Sequence, residues 1–89
     1  MKIKDGFVLR EIAGTWVVLP LAKNKADFNG MITLNESGLL LWRRLEGGAT
    51  REDLISLLTE EYEVTADVAS KDVDKFLSKI GEAGCIDMQ

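Results

Sequence analysis

The apolar pattern of this chain changes period once, at Asn35, and that one change limits the folds open to it. Before Asn35, β-branched and aromatic residues gather in short runs: FVLREIA (Phe7–Ala13), TWVVLPL (Thr15–Leu21) and MITL (Met31–Leu34). Such runs suit a pleated, half-buried surface. Gly14 between the first two suits a hairpin turn. Pro20 has no N–H for a ladder and marks the end of the second run. The polar, turn-rich stretch Ala22–Gly30 reads as a loop. The expectation is a three-stranded meander with its third strand, Met31–Leu34, at an edge.

After Asn35 the spacing is helical. Asn35 is a good N-cap, and Glu36 places an acid in the first turn, where the helix dipole favours it. Leu39, Leu40, Trp42 and Leu45 form a wide apolar face, and Gly47-Gly48 ends that helix. Thr50 opens a second helix with a near capping box, Asp53 standing where Glu is usual. Leu54, Leu57, Leu58 and Tyr62 follow at helical spacing. Thr65 caps a third helix, on which Ala69, Val73, Phe76, Leu77 and Ile80 form one stripe. Gly84 ends it, and Cys85-Ile86-Asp87 reads as a terminal extended piece. A run of strands followed by a run of helices implies an α+β fold. Two short helices and a longer third fit helix-turn-helix packing. The predicted architecture is a winged helix-turn-helix, a three-stranded antiparallel sheet followed by three helices, as one domain over the 89 residues.

Several chemistries are missing from the residue list. The chain has no histidine, which removes the usual general base and the commonest metal ligand. Its one cysteine, Cys85, excludes an internal disulfide and has no conventional base beside it, so it reads as a small buried hydrophobe. Glu60 and Glu61 are adjacent and do not converge on one point of a helix. The glycines form neither a dinucleotide fingerprint nor a phosphate loop. The chain is expected to be no enzyme, with no catalytic residue, cofactor or metal. A net charge of −4 argues against nucleic acid, which is held mainly through phosphate contacts. No apolar run is long enough to span a membrane. The first residues lack a signal-peptide core. A reduced, cytoplasmic protein is the expectation.

Lys71, Lys75 and Lys79 recur every four residues on the third helix, on the side away from its apolar stripe. Asp67, Asp72, Asp74 and Glu82 are interleaved with them, so a solvated, self-paired face is the plainer reading and a ligand-facing one the sharper. Trp16 and Trp42 are expected in the core.

The run LNESGLLLWRRLEGGATREDLISLLTEEYEV, followed by DVDKFLSKIGEAGCI, resembles the PqqD family. The shared features are Leu34-Asn35 at the strand-to-helix junction, Gly38, Trp42, Gly48 to Thr50, Leu58, Tyr62 and Val64, then Asp72 to Leu77. These are small peptide-binding proteins, RiPP recognition elements, of which the founding members act in pyrroloquinoline quinone biosynthesis. The resemblance implies a winged helix-turn-helix that holds the leader segment of a precursor peptide and presents it to a separate modifying enzyme, often a radical SAM enzyme. It implies that the leader adds as a strand beside the third strand, in a groove closed by the third helix. The peptide-binding candidates are then Met31, Ile32, Thr33 and Leu34 on the strand, with Ile32 and Leu34 favoured for the core side. On the helix they are Lys71, Val73, Lys75, Phe76, Leu77, Lys79 and Ile80. An edge strand offers unpaired N–H and C=O groups for such an addition. The alternatives are a winged-helix DNA-binding regulator and a structural module that pairs with itself as a homodimer.

Overall fold

The computed structural model describes residues 1–21 and 32–87. The Ala22–Gly30 loop expectation and Met31 lie outside the described residues. Strands β1 (Lys2–Ile3), β2 (Phe7–Ile12), β3 (Thr15–Pro20) and β4 (Ile32–Leu34) precede helices α1 (Glu36–Glu46), α2 (Arg51–Glu61) and α3 (Ala66–Glu82), and β5 (Ile86–Asp87) follows. The main sheet is antiparallel in the order β2-β3-β4, so among the described residues β4 is an edge. This is the expected α+β order. Two elements go beyond it: β1 was not anticipated, and the terminal extended piece is a strand that pairs with it, Lys2 opposite Asp87 and Ile3 opposite Ile86.

The β2–β3 hairpin turns on two residues, Ala13 and Gly14, both at positive φ (51° and 81°). That geometry matches the right-handed twist of the flanking strands. It is tolerated at Gly14 because glycine has no Cβ to clash there. Pro20 is the last residue of β3.

All three helices start on the caps read from the sequence. The Asn35 side chain accepts from the Gly38 N–H at 2.8 Å. Thr50 Oγ1 accepts from the Asp53 N–H at 3.1 Å, while Asp53 accepts from the Thr50 N–H at 2.9 Å. The capping box therefore closes with Asp in the Glu position. The hydrogen bonds from Thr50 hold the Asp53 carboxyl below its ordinary range. Thr65 accepts from the Val68 N–H at 3.3 Å. Each bond satisfies a helix N–H that has no partner within the helix.

The core lies between the inner face of the sheet and the three helices. It contains Val18, Ile32, Leu34, Leu41, Trp42, Leu45, Leu54, Leu58, Ala69, Val73, Phe76, Ile80 and Cys85. Trp42 is 1% exposed and is central to it. Trp16 is only half-buried: it packs on the edge of the core, with the Arg43 guanidinium 5.1 Å above its ring. An Arg51–Asp74 pair, bonded at 2.7 and 3.0 Å, ties the start of α2 to the middle of α3.

Candidate functional site

The backbone of β4 has two sides, and the hairpin determines which residue faces out. In an antiparallel ladder, pairs that exchange both hydrogen bonds alternate with pairs that exchange none. A two-residue turn is closed by an exchanging pair, here Ile12 with Thr15. Alternation then makes Arg10–Val17 and Val8–Leu19 exchanging pairs, so Thr15, Val17 and Leu19 direct their backbone groups toward β2. The next residue keeps the rule, since the Leu21 N–H donates to the Gly6 carbonyl at 2.7 Å. Trp16 and Val18 therefore direct theirs toward β4, where their partners are Leu34 and Ile32. Thr33, opposite Val17, is left with its N–H and C=O facing the open edge.

Side chains divide the same three residues. Ile32 and Leu34 are buried in the core, and Thr33 is exposed. The core side favoured for Ile32 and Leu34 is the one observed.

A groove of about 530 Å³ runs along this edge. Its walls come from β4 and the start of α1 (Thr33, Leu34, Asn35, Ser37, Gly38, Leu41) and from α3 (Asp72, Lys75, Phe76, Lys79). The four α3 residues fall at i, i+3, i+4 and i+7, one face of a helix. A second cavity of about 300 Å³ continues past Asn35, Ser37 and Asp72 to Leu58, Tyr62 and Val64.

Of the sequence candidates, Thr33, Leu34, Lys75, Phe76 and Lys79 meet in the groove. Phe76 does two things: it is 8% exposed within the core and also forms part of the groove wall. Val73 and Ile80 are 0% exposed, so their side chains pack the core and do not reach the groove. Leu77 is half-buried against the core, and Lys71 is exposed; neither lines the groove. The lysine reading is corrected in part. Lys75 and Lys79 stay exposed, but both line the groove beside the sheet edge. The helix is not self-paired at the positions that matter: Lys79 Nζ donates to the Thr33 carbonyl at 3.0 Å, and Asp74 pairs with Arg51. The Arg51 guanidinium holds the Asp74 carboxyl below its ordinary range.

Five lining residues were not among the candidates: Asn35, Ser37, Gly38, Leu41 and Asp72. Asn35 was legible as a cap, but nothing in its spacing marks it as groove lining. Gly38 has a local reason to be glycine. A Cβ there would lie 3.1 Å from Asn35 Oδ1 and 3.5 Å from Leu34 Cδ2, crowding the capping bond at the groove floor.

Cys85 takes no part in the groove. It is 0% exposed, and burial pushes its thiol up to about 11. At pH 8 it is a thiol, not a nucleophilic thiolate. We expect iodoacetamide to label Cys85 in the folded protein at least about tenfold more slowly than in denaturant, because the thiol is both closed off from solvent and largely protonated. The raised value also has a sign for stability. The unfolded thiol ionises first as pH rises, so stability falls from about pH 9 toward pH 11. Equal labelling rates in both states would contradict the burial.

Among the described residues, no group of three or more His, Cys, Asp or Glu is placed to hold a metal ion. No helix there is long and apolar enough to cross a membrane.

In sequence, residues 15–86 match the family described as Coenzyme PQQ synthesis protein D (PqqD). No curated protein matches the chain. In structure, the chain is similar to TbiB1 in complex with the TbiA(beta) leader peptide. The TM-score is 0.78 at 25% identity, covering 100% of this chain and 98% of that one. It is also similar in fold to a lasso peptide synthetase B1 complexed with the leader peptide. There the TM-score is 0.74 at 23% identity, covering 94% of this chain and 93% of that one.

Proposed function

Because this chain belongs to the PqqD family, we propose that it binds the leader segment of a ribosomally synthesised precursor peptide by strand addition at β4 and presents it to a separate modifying enzyme. The observation that carries this reading is Thr33. Its N–H and C=O face an open edge, and that edge opens into a groove walled by α3. Main-chain bonds to Thr33 supply affinity, and the groove side chains supply selectivity. TbiB1, similar over its whole length, is known in complex with a leader peptide. In this reading the chain does no chemistry of its own. Its cytoplasmic setting, a radical SAM enzyme as the client and any homodimer belong to the same proposal.

A DNA-binding role fits less well. In helix-turn-helix proteins the recognition helix offers its basic residues to the major groove. Here Lys75 and Lys79 of α3 face the protein's own sheet edge. The net charge of −4 adds to the mismatch.

The test is selection of a display library of randomised 12-residue peptides on the immobilised protein. Enrichment of peptides that share one motif, without Pro or Gly in its central positions, is the expected result. Recovery no higher than on an unrelated acidic protein would overturn the proposal.

A further inference from the structure

In this structure the outward carbonyl of Thr33 is occupied. The Lys79 ammonium, 46 positions along the chain, donates to it at 3.0 Å. Lysine at a strand edge is one of the means by which proteins blunt open edges. A strand that pairs with β4 needs that same oxygen to accept from its own N–H. A carbonyl oxygen can accept two hydrogen bonds, but the strand N–H must reach it from the open edge, where the Lys79 ammonium now sits, so the two crowd one approach.

An ammonium displaced within a closing groove needs a new partner, since it has three donors and is strongly hydrated. The groove supplies little help. Lys75 lies one turn back on the same face and repels it. Asp72, the acid of that face, lies seven residues back along α3, about 10 Å at the rise of a helix. That distance equals about three residues of strand. The α3 wall thus runs from acidic at Asp72 to basic at Lys75 and Lys79. An acidic side chain on the peptide fits at the Thr33 end and is repelled at the Asp72 end.

We propose that on binding Lys79 exchanges the Thr33 carbonyl for an acidic side chain of the incoming peptide, so that the groove selects extended peptides carrying Asp or Glu beside Thr33. This rests on the strand-addition reading above and adds the chemical class of the ligand and its register. Lys79 is a specificity residue in this scheme. A neutral peptide displaces it without compensation, whereas an acidic one gives it an ion pair shielded by the new strand.

The experiment repeats the 12-residue library selection on wild type, Lys79→Met and Lys79→Arg. Lys79 is exposed, and methionine keeps the unbranched stem, so the variants are expected to keep the wild-type circular dichroism. Wild type and Lys79→Arg are expected to enrich Asp or Glu at one fixed position of the motif. Lys79→Met is expected to keep the apolar positions and lose that enrichment. For one selected peptide, a Glu→Gln change at that position should weaken binding to wild type about fivefold, near the upper end for an exposed ion pair. Binding to Lys79→Met should change less than about twofold, since that variant has no ion pair to lose. An unchanged acid frequency in Lys79→Met, with the motif otherwise recovered, overturns the role of Lys79 alone. Failure of wild type to recover any motif overturns this inference together with strand addition itself.

Discussion

Thr33→Pro is expected to leave the protein folded and to abolish capture of an extended peptide, whereas Leu34→Pro and Ile32→Pro should unfold it. The reason is the alternation of the β3–β4 ladder. Proline removes one N–H and fixes φ. At Thr33 that N–H faces the open edge, so no bond inside the sheet is lost. Proline is accepted on edge strands with its missing donor toward solvent. The incoming peptide loses a backbone bond and meets the ring where its own chain should lie. Such a bond contributes about 0.5–1.5 kcal/mol net, so with the steric conflict we expect at least about a tenfold loss of affinity. At Leu34 and Ile32 the same change breaks a ladder bond to Trp16 or Val18 and removes a buried side chain. Truncating a buried Leu or Ile alone costs about 2–5 kcal/mol. Circular dichroism and calorimetry against a selected peptide separate the two outcomes. A folded Thr33→Pro variant that binds as wild type does would remove β4 as the docking edge. The Asn35–Tyr62 cavity would then be the next place to look.

Trp42→Ala should have the largest effect on stability of any single truncation in the chain. Trp42 is the bulkiest of the fully buried side chains. It lies on α1 with Leu41 and Leu45, facing the sheet and the other helices. The cost for a buried Trp is about 3–5 kcal/mol. At about 0.05–0.15 kcal/mol per residue, a domain of 89 residues has about 4–13 kcal/mol in total. One substitution thus removes about a quarter of it or more. At about 4–8 °C per kcal/mol for a domain of this size, the melting temperature should fall by at least about 12 °C. Trp16→Ala is the internal control. That ring is half-buried at the edge of the core, under Arg43, and its loss should cost clearly less. Equal melting shifts for the two variants would contradict this placement of the core.

How much of this was legible in the residues depends on how far apart the interacting groups are. The caps at Asn35, Thr50 and Thr65 were readable because each bond joins a side chain to an N–H three residues on. The α3 stripe was readable because a helix repeats every 3.6 residues, and four of its five members are buried. Even the edge position of β4 followed from the order of the strands. The β1–β5 pair was not readable, since two-residue strands carry no periodicity and find each other only across the whole chain.

The site itself was decided by tertiary structure. A strand pattern shows that residues alternate, but which of them offers a free N–H depends on the turn two strands away, through the register of β2 on β3 and of β3 on β4. A helix pattern shows an apolar stripe but not its limits. Val73 and Ile80 point to the middle of the core, and Phe76 reaches from the core to the groove, because of where α3 crosses the sheet. The same placement of α3 brings the exposed Lys79 side chain onto the Thr33 carbonyl. The sequence by itself determined the three main strands, the three helices, their caps and the apolar stripe of α3, all interactions within a turn or two of helix or along one strand; on α1 it missed Leu41, which is buried where Leu39 and Leu40 are only half-buried. The open carbonyl and the lysine that covers it are 46 residues apart, and only the packing of α3 against the sheet edge brings them within a hydrogen bond.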